Sequence, residues 1–184
     1  MLTSPKTTKL LVPTLLIAGL LFSSPAKASG MLGPNTRDFF AGLTLGGGIK
    51  LSKSVSQFKL AQEFGWRGLR IGGLAIGATL QESFGDNWTL FAIAPKVWWD
   101  FQILSNMGLY VTPFLHMGYQ YSSFSFAGQS LGTSAFNWQF GVLGKLIINN
   151  RFYVLFQPFA IDLSHSKDGT GARYDIQFGG GLTF

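Results

Sequence analysis

The sequence predicts an all-β fold, a closed antiparallel transmembrane β-barrel of eight up-and-down strands. Three observations predict it. The last eleven residues alternate, with Tyr174, Ile176, Phe178, Gly180, Leu182 and Phe184 on one side and Asp175, Gln177, Gly179, Gly181 and Thr183 on the other. A period of two is that of a strand with one apolar face and one polar or small face. After residue 28 no apolar run approaches the roughly 18 residues of a helical span. The composition is 15% aromatic and only 12% charged, with 24 Gly, so the apolar content is spread over short alternating segments. A chain that crosses a bilayer without helices can satisfy all its backbone hydrogen bonds only as a closed barrel.

The amino-terminal segment has the pattern of a cleaved secretory signal peptide over residues 1–28. Lys6 and Lys9 supply a basic start, Leu10 to Phe22 an apolar stretch, and Ala26-Lys27-Ala28 an A-x-A cleavage site. The apolar stretch carries Pro13 and is shorter than the roughly 20 residues of a spanning helix. With Lys6, Lys9 and Lys27 removed, 14 basic residues become 11 against 8 acidic ones, and the net charge falls from +6 to +3. No Lys/Arg cluster remains of the kind that binds nucleic acid. The absence of Cys excludes disulfides, thiolate metal ligands and a lipoprotein anchor.

Residues 29–37 form a short leader, and the strands follow over 38–184. The first, 38–51, alternates Phe39, Ala41, Leu43, Leu45, Gly47, Ile49 and Leu51 with Phe40, Gly42, Thr44, Gly46, Gly48 and Lys50. The second, 56–66, sets Phe58, Leu60, Phe64 and Trp66 against Lys59, Ala61, Glu63 and Gly65. Val55, Phe58 and Gln62 would also suit a short amphipathic helix. The third, 68–81, changes phase at Gly72-Gly73, where a β-bulge is expected. The fourth, 87–103, turns Phe91, Ile93, Pro95, Val97, Trp99, Phe101 and Ile103 outward against Ala92, Ala94, Lys96 and Asp100.

The fifth, 109–121, opposes Leu109, Val111, Pro113, Leu115, Met117 and Tyr119 to Thr112, His116, Gly118 and Gln120. The sixth, 135–148, opposes Phe136, Trp138, Phe140, Val142, Leu146 and Ile148 to Asn137, Gln139, Gly141 and Lys145. The seventh, 151–163, is apolar on both faces, so its orientation stays open. The eighth ends at Phe184. Pro95, Pro113 and Pro158 each remove one ladder donor. Short turns near Trp66-Arg67, at Ser105 to Gly108 and at Asn149-Asn150 fall at one end. The longer polar segments 122–134 and 164–172 fall at the other and are expected as external loops.

The signal-peptide pattern, this layout over 38–184 and the Tyr174–Phe184 ending resemble the small eight-stranded bacterial outer-membrane barrels of the OmpX and OmpA transmembrane-domain type. No family-specific internal motif is matched. The resemblance implies residence in the outer membrane, in contact with outer-membrane lipid and lipopolysaccharide. It also implies that Tyr174, Ile176, Phe178, Leu182 and Phe184 form a sorting signal for the barrel-assembly machinery, and that an extracellular partner meets the external loops. It implies no cofactor.

The polar positions that alternation turns inward are Lys50, Lys59, Glu63, Arg70, Lys96, Asp100, His116, Gln120, Asn137, Gln139, Lys145, Asp175 and Gln177. They describe either a wet channel or a filled interior of ion pairs and hydrogen bonds. Eight strands favour the filled interior, because closure at that number leaves room for little more than side chains. Trp66, Trp88, Trp98, Trp99, Trp138, Tyr119, Tyr121 and Tyr153 are expected as interfacial girdles.

No catalytic or metal site is expected. His116 has no second ligand at suitable spacing. His165 lies in Ser164-His165-Ser166, near Asp162 and Asp168. The outer-membrane lipid A deacylase (PagL) pattern separates His and Ser by one residue within a strand, whereas Ser166 directly follows His165 and would face the opposite way. The expected function is therefore structural or surface-interactive, with a narrow porin-like solute channel as the first rival and a lipid A-modifying enzyme as the second. A soluble β-sandwich is the rival fold.

Overall fold

The computed structural model describes residues 37–50, 56–69, 73–85, 88–104, 107–126, 129–167 and 169–184. The expected signal peptide and most of the expected leader lie outside the described residues. The strands are β1 (Phe39–Lys50), β2 (Ser56–Trp66), β3 (Leu74–Gly85), β4 in two stretches (Trp88–Trp99 and Phe101–Leu104), β5 (Leu109–Phe126), β6 (Gln129–Ile148), β7 (Phe152–Ser166) and β8 (Gly169–Thr183). The two stretches of β4 keep one register against β5, from Trp88↔Phe124 to Gln102↔Tyr110, and so count as one strand.

Each strand pairs antiparallel with the next, and β8 returns to β1, which closes an eight-stranded barrel. Backbone hydrogen bonds Phe39 N–H to Phe184 O, 3.0 Å, and Phe184 N–H to Phe39 O, 2.9 Å, finish the seam. The second strand forms, because Lys59, Ala61 and Glu63 point inward and Phe58 and Phe64 outward, with full pairing on both sides. A helix there would leave both neighbours with open edges.

The turn at Asn149-Asn150 forms as expected. Both residues have positive φ, 50° and 54°, and Arg151 N–H donates to Ile148 O at 3.2 Å. This is the primed two-residue hairpin, whose twist matches the flanking strands and which asparagine tolerates.

Three expectations are corrected. The third strand begins at Leu74, since Gly68 and Leu69 lie in a turn. Gly73, at φ 91°, directly precedes the strand; Arg70, Ile71 and Gly72, and with them part of the expected bulge, lie outside the described residues. The segment 122–134 is largely strand. β5 and β6 pair without a break from Leu109↔Leu146 to Phe126↔Gln129. The segment 164–172 likewise continues β7 and β8 through Ser164↔Gly171, His165↔Thr170 and Ser166↔Gly169. Serine and glycine in these segments mark their departure from the apolar belt, while the backbone ladder carries on.

The seventh strand owes its two apolar faces to a real bulge. Its register against both β6 and β8 shifts around Pro158 and Phe159. Before the bulge Tyr153, Leu155 and Gln157 point inward; after it Ala160 and Asp162 do. Proline lacks the donor a regular ladder would use and is placed where the ladder slips.

Candidate functional site

The interior is filled by side chains in layers. At the end where β1 begins and β8 finishes, Phe40, Trp98, Phe114, Leu143, Tyr153 and Leu155 form a buried apolar cluster. The Phe40 ring meets Trp98 edge-on at 5.0 Å and Tyr153 at 6.2 Å between centroids. These rings fit because glycines lie beside them. A Cβ on Gly65 would enter the Phe40 ring, and one on Gly42 or Gly181 would meet the Tyr153 hydroxyl. Trp98 and Tyr153 are thus part of the plug, contrary to the expectation that they join an interfacial girdle. Their strand parity turns them inward.

Cations lie against this plug. The Arg67 guanidinium is 4.4 Å from the Phe40 ring centre and Lys96 Nζ 4.1 Å from that of Phe114. Asp100 gathers Arg67 Nε at 3.1 Å, Lys145 Nζ at 2.7 Å and the Thr112 hydroxyl at 2.6 Å. Lys96 pairs with Glu63 one level on.

Beyond these a larger network spans the lumen. Lys59 bridges Asp162, at 2.6 Å, and Asp175. Gln139 donates to Asp175 at 2.6 Å, Asn137 to Asp162 at 2.5 Å, and His116 Nε2 meets Asn137 Oδ1 at 2.9 Å. Arg173 reaches across from β8 to Gln120 on β5 at 3.0 Å, Asp162 on β7 at 3.3 Å and Gln57 on β2 at 3.4 Å. Among the described residues, five cations (Lys59, Arg67, Lys96, Lys145, Arg173) and four carboxylates (Glu63, Asp100, Asp162, Asp175) are buried inside, and six ion pairs link them. Burial of so many charges is tolerable only because each has a partner.

Of the polar positions expected inside, Lys96, Asp100, His116, Gln120, Gln139, Lys145 and Asp175 all lie in this interior, with Lys59, Glu63, Asn137 and Gln177. The side chain of Lys50 and the whole of Arg70 lie outside the described residues. Sequence reasoning missed Arg67, Asp162 and Arg173. Arg67 sits at a strand end, the Pro158 bulge hid the facing of Asp162, and Arg173 falls two residues before Asp175, where the alternation of the last strand had simply to be carried further back.

The outer wall is apolar. Leu43, Phe64, Phe91, Ile93, Val97, Leu115, Phe140, Ile176 and Phe178 are all exposed there. The positions expected to form a sorting signal lie on this wall, and Phe184 stacks on Phe39 at 6.1 Å. His165 faces outward and bonds Thr170 at 2.8 Å, whereas Asp162 faces the lumen. Ser164 is on the Asp162 side by alternation, so these residues do not converge; Asp168 lies outside the described residues. Among the described residues no three His, Asp or Glu side chains form a metal-binding group.

No family model matches the chain, and no curated protein matches it in sequence. Its fold is similar to solved structures. Neisserial surface protein A aligns with a TM-score of 0.65 at 10% identity, over 79% of this chain and 96% of that one. The N-terminal β-barrel domain of Pseudomonas aeruginosa OprF aligns at 0.55 and 10% identity, over 82% of this chain and 99% of that one. The likeness is one of fold, that of the small eight-stranded outer-membrane barrel.

Proposed function

We propose that this chain is an integral outer-membrane barrel, sealed to solutes, that serves a structural role and presents the β5–β6 hairpin as a surface-contact element. One observation carries the reading: β5 and β6 run on past the ends of their neighbours while the lumen beneath is crossed by the Arg173 and Lys59 networks and the Phe40–Trp98–Tyr153 layer. The apolar outer wall supports contact with outer-membrane lipid and, at the projecting end, lipopolysaccharide. The contact element is hairpin rather than loop, which gives a partner a fixed surface. The alternating Tyr174, Ile176, Phe178, Leu182 and Phe184 on the lipid side support recognition by the barrel-assembly machinery.

The test is conductance of the folded barrel in planar bilayers, paired with surface labelling of a Thr133→Cys variant on intact cells by a membrane-impermeant maleimide. The expected result is no stepwise current and efficient labelling. Discrete current steps would bring back the solute channel, and an unlabelled cysteine in a folded barrel would remove surface display.

A further inference from the structure

The apolar outer wall has one polar spot. On β3, Leu80, Glu82 and Phe84 alternate with the buried Thr79, Gln81 and Ser83, so Glu82 turns outward. Its cross-strand partners are Leu60 on β2 and Phe91 on β4, both on the outer wall. Phe58 and Phe84, paired and stacked at 6.5 Å between centroids, lie next to it on the mouth side, and Leu80 lies next to it on the other. Among the described residues, Glu82 is the single Asp, Glu, Lys or Arg that the strands turn outward, and Gln62 is the single carboxamide. Gln62 pairs with Leu80 and is therefore the diagonal neighbour of Glu82. Long side chains reach each other across such a diagonal, about 7–8 Å between backbones.

An ionised carboxylate among apolar side chains needs a positive charge beside it. The sheet supplies none on this face. Lys59 and Lys96, on the two flanking strands, point into the lumen and are committed there to Asp162, Asp175 and Glu63. Neither Glu82 nor Gln62 has a side-chain partner among the described residues. Depth narrows the choice of cation. β2 begins at Ser56 and β3 ends at Gly85, so Glu82 lies one outward position inside the rim at the mouth. On the outer-membrane reading, that is the level of the outer-leaflet headgroups. A carboxylate and an amide carbonyl are oxygen donors, the kind that hard divalent ions take. Such an ion takes about six or more oxygens, so two side chains leave most positions to phosphate and water.

Resting on that outer-membrane reading, we propose that Glu82 and Gln62 hold a divalent cation, Ca2+ or Mg2+, which the barrel shares with a phosphate group of an outer-leaflet lipid. The ion neutralises a carboxylate that the wall otherwise leaves alone, and it ties one lipid to the β2–β3 face.

The experiment follows the unfolding temperature of the full barrel, read as loss of the fast-migrating gel band. Ca2+ is titrated into nanodiscs of phosphatidylcholine with or without lipid A. With lipid A, Ca2+ raises the unfolding temperature by several degrees, as an ion held by the folded state does; in phosphatidylcholine alone the rise is much smaller. Glu82→Gln removes the rise, and Gln62→Leu moves the titration to several-fold higher Ca2+. Both variants keep the folded band, since the side chains replaced lie on the outer wall. Glu82→Lys, whose ammonium meets a phosphate directly, is stabilised by lipid A with no Ca2+ present. An equal rise in Glu82→Gln overturns the inference, because the ion then acts on the lipid alone. So does an equal rise without lipid A. A full rise when inorganic phosphate replaces lipid A removes the lipid and assigns the phosphate to solution. A folded barrel indifferent to Ca2+ sinks the ion site and leaves the outer-membrane reading standing, whereas failure to form the folded band in any disc sinks both.

Discussion

Lys59 on β2 and Asp162 on β7 meet at 2.6 Å inside the barrel, 103 residues apart in sequence and with β1 and β8 between their strands. The contact is made across the lumen rather than along the sheet. It ties opposite walls together, and Asp175 on β8 shares the same ammonium.

Removing that ammonium leaves the buried Asp175 without a cation and Asp162 with Arg173 alone. Lys59→Ala is expected to destabilise the folded barrel by about 3–5 kcal/mol, the cost of breaking a buried pair from one side. Replacing Glu63 and Lys96 together by apolar residues of similar volume is expected to be close to neutral, because no charge is then left alone. Urea unfolding in lipid vesicles measures both, and equal costs for the two changes would contradict this account.

Phe40 lies where a side chain on Gly65 would stand. Gly65→Ala is therefore expected to cost about 1–3 kcal/mol through overpacking, and the cost should shrink when Phe40 is also changed to Ala. Contact residues couple in this way, and a double-mutant cycle on the same unfolding assay reads the coupling. Strict additivity would show that the ring does not use the space above Gly65.

The extra residue at Pro158 sets which face Asp162 presents. Deleting Pro158 alone should slip one half of β7 by a residue and send either Tyr153 and Leu155 or Asp162 to the wrong side. The expected outcome is loss of the fast-migrating folded band on an unboiled gel. Pro158→Thr keeps the residue count and should retain that band. A folded deletion variant would mean that β7 tolerates either register.

Arg173 binds groups on three other strands, but the Phe40, Trp98 and Tyr153 layer lies deeper. Arg173→Ala is expected to leave bilayer conductance at zero. Combined Phe40→Ala and Trp98→Ala, which empties the apolar layer, is expected to allow ion leakage. Current from the Arg173→Ala variant alone would place the barrier at Arg173.

Phe184 stacks on Phe39, a contact worth about 0.5–1.5 kcal/mol beyond burial. Phe184→Ala should lower the stability of the refolded barrel by an amount of that order plus the lost burial. A much larger fall in the amount assembled in cells would separate recognition during assembly from the stacking itself. Matching small effects in both assays would assign Phe184 a packing role only.

Much of the barrel was legible because alternation is local. Each of Lys96, Asp100, His116, Gln120, Gln139, Lys145 and Asp175 could be placed inside by counting in twos from an apolar neighbour. Arg67 was missed because it follows the last residue of β2 and was read as part of the turn, although counting in twos on from Lys59, Ala61, Glu63 and Gly65 reaches it. Asp162 could not be placed, because one inserted residue at Pro158 reverses the parity between it and Tyr153. The hairpin was misread for a different reason. Serine and glycine over 122–134 signal departure from the apolar belt, and strand pairing in water leaves the same polar composition as a loop.

The amino-acid sequence by itself determined the fold class, the strand order and the facing of most side chains, because a two-residue period records which side of a sheet meets lipid. Tertiary structure alone decided which inward groups meet. Lys59 finds Asp162 and Arg173 finds Gln120 only when the sheet closes and brings distant strands across one lumen. Closure also leaves β5 and β6 standing past their neighbours, with Leu131 and Phe124 turned inward over the mouth. No local pattern encodes that, since it depends on where each neighbouring strand ends.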